Sequence, residues 1–140
     1  MAPDATIDGT LKNLRTIHGV MLFSMILYVF IAERLIPPEP RNLNGTLPAA
    51  FGILCVAIVG LAMFFRTRKI RPAFETLQSE PNNMNALRQW RAGGILTAVL
   101  LEAVVLYGFA LRFLGASLKV SLPFYVVGIA LMALWWPLRP

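Results

Sequence analysis

Long apolar runs alternate with short polar connections along this chain. Positions 14–32, 48–65, 92–111 and 120–136 are predominantly apolar. Each is long enough to cross a hydrocarbon core of about 30 Å at about 1.5 Å per residue. Such runs predict α-helices, because a helix satisfies its own backbone hydrogen bonds where no water is available. The expected fold is an all-α membrane protein: four transmembrane helices in two helical hairpins, forming one domain over residues 1–140.

The connections carry their own signals. Residues 33–47 include Pro37, Pro38 and Pro40, then Asn42, Asn44 and Gly45, which favours an extended stretch and a turn. Asn44-Gly45-Thr46 matches a glycosylation acceptor pattern. The longest polar stretch, 66–91, reads as a loop broken at Pro81. Beyond it Asn82, Asn83 or Asn85 is placed to cap a helix running through Leu87 and Trp90 into the third span, with Gly93 and Gly94 as its weak point. No internal repeat is visible.

Composition agrees with this picture. Hydrophobic residues make up 57% of the 140 positions and charged residues 14%, against about 45–50% and 25% in soluble domains. The formal charge of +6 raises the question of nucleic acid, but the basic residues flank the spans and are not interleaved with stacking aromatics. They fix topology instead. With both termini inside, the cytoplasmic side holds Lys12, Arg15, Arg66, Arg68, Lys69, Arg71, Arg88, Arg91 and Arg139, and the outer side Arg34, Arg41, Arg112 and Lys119. This is the asymmetry expected in a bacterial-type inner membrane with N- and C-termini cytoplasmic. Trp90, Trp135 and Trp136 fall at the same cytoplasmic boundary, where amphipathic rings anchor helix ends. No small-residue cleavage site follows the first run, so an uncleaved span is expected there.

Most familiar chemistry is missing. His18 is the single histidine and Cys55 the single cysteine. The chain therefore offers no intrachain histidine pair for a b-type haem, no His-Glu-x-x-His zinc motif, no Cys-x-x-Cys and no intrachain disulfide. No phosphate-cradling glycine loop occurs. No catalytic residue, metal or cofactor is expected, and His18 is read as an interfacial residue. The basic run Arg66, Arg68, Lys69 and Arg71 is a candidate for anionic headgroups as well as a topology signal.

Glu102 is the exception. It stands at the middle of the third run with no other charged side chain inside that run. A charge at the centre of a bilayer costs roughly 2.5–3.5 kcal/mol on insertion scales, so such residues are rare and mark function or a specific partner. Gly94, Ala98 and Glu102 are spaced by four and share one helix face, a small-residue stripe on which another helix can approach closely. Thr97 and Tyr107 lie about 140° around the helix and cannot reach the carboxyl. Ser24 and Tyr28, one turn apart on the first span, and Cys55 on the second lie at comparable depth and are the candidate hydrogen-bond partners. Transfer into hydrocarbon favours the uncharged acid. At the outer boundary Glu33 and Arg112 are placed to pair if their helices are neighbours.

The string Glu102-Ala103-Val104-Val105-Leu106-Tyr107-Gly108-Phe109-Ala110 resembles the ion-binding helix of the proteolipid, or c, subunit of rotary ATP synthases. In that family the glutamate binds the transported proton, and a polar cytoplasmic loop precedes its helix. The resemblance implies a proton-binding role for Glu102. It covers about nine residues, and the chain lacks both the family's dense glycines, with only Gly52 and Gly60 in line on the preceding span, and its compact Arg-Gln-Pro turn.

Three functions follow as expectations. The first is a non-catalytic helical scaffold or accessory subunit of a larger membrane complex, not an enzyme. Its partners would be the lipid bilayer, anionic lipid, and other membrane subunits or copies of itself, with no nucleic acid. The second is a proton-binding proteolipid-like subunit using Glu102. The third, a small-molecule carrier or membrane enzyme, calls for polar groups converging at midplane.

Overall fold

The computed structural model describes residues 6–35 and 45–140. Pro37, Pro38, Pro40, Arg41, Asn42 and Asn44, and with them most of the proline-rich connection and the glycosylation pattern, lie outside the described residues. Five α-helices follow in order: α1 (Ile7–Leu35), α2 (Thr46–Phe65), α3 (Arg71–Ser79), α4 (Met84–Phe113) and α5 (Leu118–Leu134). A π-helical turn, Arg66–Ile70, joins α2 to α3. Three helical stretches are long and apolar enough to cross a membrane: α1, the continuous Thr46–Ser79, and α4. The shorter α5 is apolar over its 17 residues and contains Pro123. The protein is an all-α, multi-spanning membrane protein.

Residues 66–91 are not a loop. They form two helical arms, the end of Thr46–Ser79 and the start of α4, joined at a tight turn through Glu80 and Asn83. Pro72, at the start of α3, is what disguises the first arm. A proline inside a helix cannot donate to the carbonyl four residues back, and its ring crowds that carbonyl. Here the helix widens by one residue: the Arg71 N–H donates to the Arg66 carbonyl five positions back, and the chain continues past the proline. The second arm starts at Asn83, whose side chain accepts from the Ala86 N–H at 3.1 Å. That bond satisfies one of the amide donors left open at a helix start.

Helix α4 is the hub. It packs most extensively against α5, next against α1 and then α2, and its first turns lie against α3 and the π turn. Gly93 and Gly94 do not weaken it, because α4 runs unbroken through them. They mark close approach: a Cβ on Gly93 would lie 2.7 Å from Ile70 Cγ1, and one on Gly94 would lie 3.0 Å from Leu14 Cδ2. The seam with α5 is tighter still. A Cβ on Gly108 would meet Phe124 Cβ at 2.9 Å, and one on Gly128 would stand 3.1 Å from the Leu101 carbonyl oxygen. Without a hydrophobic force between helices in lipid, such small-residue contacts supply the packing that holds them together.

Beyond the first apolar run, the start of α1 and the two arms form a small core of Leu11, Leu14, Ala73, Leu77, Ala86, Leu87 and Trp90. Ala73 and Leu77 sit one turn apart on α3 and so face inward together. At the other end α4 closes with the Ala116 N–H donating to Leu111 O at 2.9 Å and the Gly115 N–H to Arg112 O at 3.0 Å. Gly115 has φ of 100°, the left-handed conformation this helix ending requires and glycine adopts without steric cost.

Candidate functional site

The face of α4 that carries Gly94, Ala98 and Glu102 lies against α1. Gly94 meets Leu14, Ala98 is fully buried in one core cluster with Met25, and Glu102 meets Ser24 and Tyr28. Ser24 Oγ lies 2.9 Å from Glu102 Oε1 and 2.8 Å from the Met21 carbonyl oxygen. Tyr28 Oη donates to the same Oε1 at 3.3 Å. Phe109 tilts against the Tyr28 ring, the two centroids 6.0 Å apart. Ser24, Tyr28 and Glu102 are all half-buried.

The cluster joins two spans through one oxygen. Ser24 Oγ and Tyr28 Oη, one turn apart on α1, both reach Glu102 Oε1 on α4. A carboxyl oxygen has two lone pairs and can accept both hydroxyls at once. Ser24 Oγ is also within reach of the Met21 carbonyl of its own helix, which keeps the serine oriented along the seam.

Cys55 is not part of the cluster. It packs beside Phe51 and Tyr107 against the core of Leu111, Ala116 and Phe124. Depth along the membrane normal does not fix angle: α2 lies on the flank of α4 that carries Tyr107, whose ring stands edge-on to Phe51 at 5.3 Å. Tyr107 is about 140° around the helix from Glu102, so α2 cannot deliver a partner to the carboxyl.

Glu33 and Arg112 do pair, and the geometry is fuller than a boundary contact. Arg112 donates through Nε to Glu33 Oε1 at 3.0 Å and through Nη2 to Oε2 at 3.3 Å. Its Nη1 donates to the Ala116 carbonyl at 3.0 Å, tying the pair to the turn that ends α4. The Arg112 side chain is 9% exposed and that of Glu33 30% exposed. Breaking a two-pronged, largely desolvated pair of this kind costs more than the roughly 1 kcal/mol of a surface bridge, because it strands a buried guanidinium.

The basic run is divided by the π turn. Arg66 stacks over the Trp135 ring at 5.0 Å, Arg68 lies over Phe64 at 6.0 Å, and Arg71 pairs with exposed Glu75 at 3.0 Å. Lys69 is exposed, with its Cβ near Gly93. His18 is buried, its Nδ1 3.1 Å from Leu14 O and its ring edge-on to Trp136 at 6.3 Å. A carbonyl only accepts, so Nδ1 carries the proton. Three further polar groups are buried where the run of the sequence offered no warning: Thr97 Oγ1, Ser121 Oγ and Tyr125 Oη have no hydrogen-bond partner among the described residues. No protein-family model, curated protein or solved structure matches this chain.

Proposed function

We propose that this protein is a non-catalytic helical scaffold or accessory subunit of a larger membrane complex. In this reading it crosses the membrane four times, with α5 as the fourth span and both termini and the 66–91 arms on the cytoplasmic side, as in a bacterial-type inner membrane. The observation that carries it is the closure of Glu102 from within the chain: its Oε1 is taken by Ser24 and Tyr28 of α1, a hydrogen-bonded pin between two spans. A carboxyl used this way orders a helix pair and leaves the remaining surface free for other subunits and lipid. Co-purification from native membranes tests it. A defined set of other membrane proteins is expected, and a lone monomer would refute it. Orientation is tested separately by a cysteine placed at Gly45, which should react with an impermeant thiol reagent only from outside.

A second reading is favoured by one feature of the same site. Glu102 is half-buried rather than sealed, and its partners are hydroxyls that can relay a proton. A proteolipid-like subunit that loads and unloads a proton at Glu102 would use this chain of donors, and it would purify as a homo-oligomer.

A further inference from the structure

A cavity of about 510 Å³ opens where every arm of the fold meets, between α1, the end of α2, the π turn, the start of α4 and the segment after α5. Its volume lies inside the range of about 300–1,000 Å³ typical of small-molecule sites. Its walls are mostly apolar, and Trp90, Trp135 and Trp136, all the tryptophans of the chain, line it. Arg66 and Arg71 supply two positive charges, Arg71 sharing its Nε with exposed Glu75 at 3.0 Å, and no aspartate or glutamate is among the lining residues. Arg66 has no carboxylate within salt-bridge distance among the described residues; its guanidinium rests on Trp135. The segment that walls one side is held down, with Arg15 Nε donating to Pro137 O at 3.2 Å and Arg139 bridging to Asp8 at 3.3 Å.

From these features we infer that the cavity binds one anionic glycerophospholipid, its phosphate on the guanidinium groups of Arg66 and Arg71 and the upper part of one chain among the tryptophans. An apolar chamber with a cationic rim and no carboxylate in its lining matches an amphiphile that is negative at one end. The aromatic and basic residues around it are those that settle at headgroup depth, so the ligand is already concentrated where the cavity opens. The site is selective within the basic run, because Arg66 and Arg71 line the cavity while Arg68 and Lys69 remain outside the lining. A planar guanidinium fork also suits a phosphate better than a point charge does.

The three tryptophans make the site directly readable. The full chain in phosphatidylcholine nanodiscs, given increasing phosphatidylglycerol with brominated chains, should show saturable quenching of tryptophan fluorescence at low mole fraction. Brominated phosphatidylcholine should quench only in proportion to its abundance. Arg66→Gln should raise the half-saturating fraction about tenfold, the effect of losing one charge-assisted contact. Arg71→Gln, at an exposed side chain that the fold does not need, should shift it in the same direction even if Arg66→Gln fails to fold. Arg68→Gln should leave it unchanged. Equal quenching by both lipids, or an Arg68→Gln effect as large as that of Arg71→Gln, would overturn the proposal. Displacement of the brominated lipid by millimolar inorganic phosphate would also overturn it, by assigning the rim to a soluble anion.

Discussion

Helices α2 and α4 are both apolar and of spanning length, and α2 is slightly the more apolar, yet they do opposite things. Of the most apolar stretch of each, 6% is buried inside the protein in the Thr46–Ser79 helix and 39% in α4. On α2 only Ala62 is buried, while Ile53, Leu54, Val56, Leu61, Met63 and Phe64 are exposed. A Cβ added to Gly52 or Gly60 meets nothing. On α4 the glycines touch neighbours, and one of the few polar residues of the run is hydrogen-bonded across a seam. Hydropathy therefore reports that a helix can enter lipid, and where the side chains are small and where the costly polar group sits reports what it packs against.

The α4–α5 seam is where this contrast should be easiest to break. Gly128→Leu pushes a side chain at the Leu101 carbonyl and Val105, backbone and β-branched atoms that cannot swing aside. A loss of about 3 kcal/mol is expected, the upper end of overpacking costs. Gly60→Leu on α2 should stay within about 0.5 kcal/mol, as for surface changes. Reversible unfolding in mixed micelles measures both. Equal losses would mean that α2 is covered in the assembled protein and that its bare face belongs to a partner subunit.

The Glu33–Arg112 pair gives the next largest effect. Glu33→Gln removes the charge opposing a buried guanidinium while leaving the Ala116 carbonyl as its remaining acceptor. Breaking fully buried pairs costs about 3–5 kcal/mol, and the partial exposure of Glu33 lowers the expectation here to about 2 kcal/mol. Arg34, exposed beside it, is the control: Arg34→Gln should have almost no effect on the same melting curve.

Much of this was legible in the chain. The four apolar runs fall on α1, α2, α4 and α5, because twenty or so apolar residues in succession leave little choice but a helix. Ser24 and Tyr28 could be named because helical spacing puts them on one face at the depth of Glu102, and Glu33 and Arg112 because they end two runs on one side. What could not be read was angle. Cys55 has the right depth and the wrong flank, and only the packing of Phe51 on Tyr107 reveals it. The helical 66–79 arm was also hidden, since a basic run followed by Pro72 looks like a loop unless the π turn is known. The convergence of Trp90 with the distant pair Trp135 and Trp136 on one cavity is a tertiary fact of the same kind.

A smaller effect separates the two faces of α4 itself. Ala98 is fully buried in the seam with α1, whereas Val99, the next residue, is 45% exposed. Ala98→Leu should cost about 1–2 kcal/mol by overpacking, and Val99→Leu less than about 0.5 kcal/mol. Thermal stability of the two variants, measured side by side in the same detergent, decides it. Equal tolerance would remove α1 as the partner of this face.

Glu102→Gln should have the smallest effect of all, and that smallness is its value. The amide keeps the volume and an oxygen that can stand in the place of Oε1 and accept from both Ser24 and Tyr28. Stability should change by about 0.5 kcal/mol or less, whereas Glu102→Ala, which takes the partner from Tyr28 and leaves Ser24 only the Met21 carbonyl, should lose about 1–2 kcal/mol. Retained assembly and stability in the Gln variant fit a structural pin. Reaction with a hydrophobic carbodiimide, which modifies carboxyls in apolar surroundings, should label the wild type, with Gln as the unlabelled control. Proton flux in reconstituted vesicles then divides the two functions. A Gln variant that assembles normally but abolishes a flux present in the wild type would replace the scaffold reading with the proteolipid-like one, because an amide can hold the helices together but cannot release a proton.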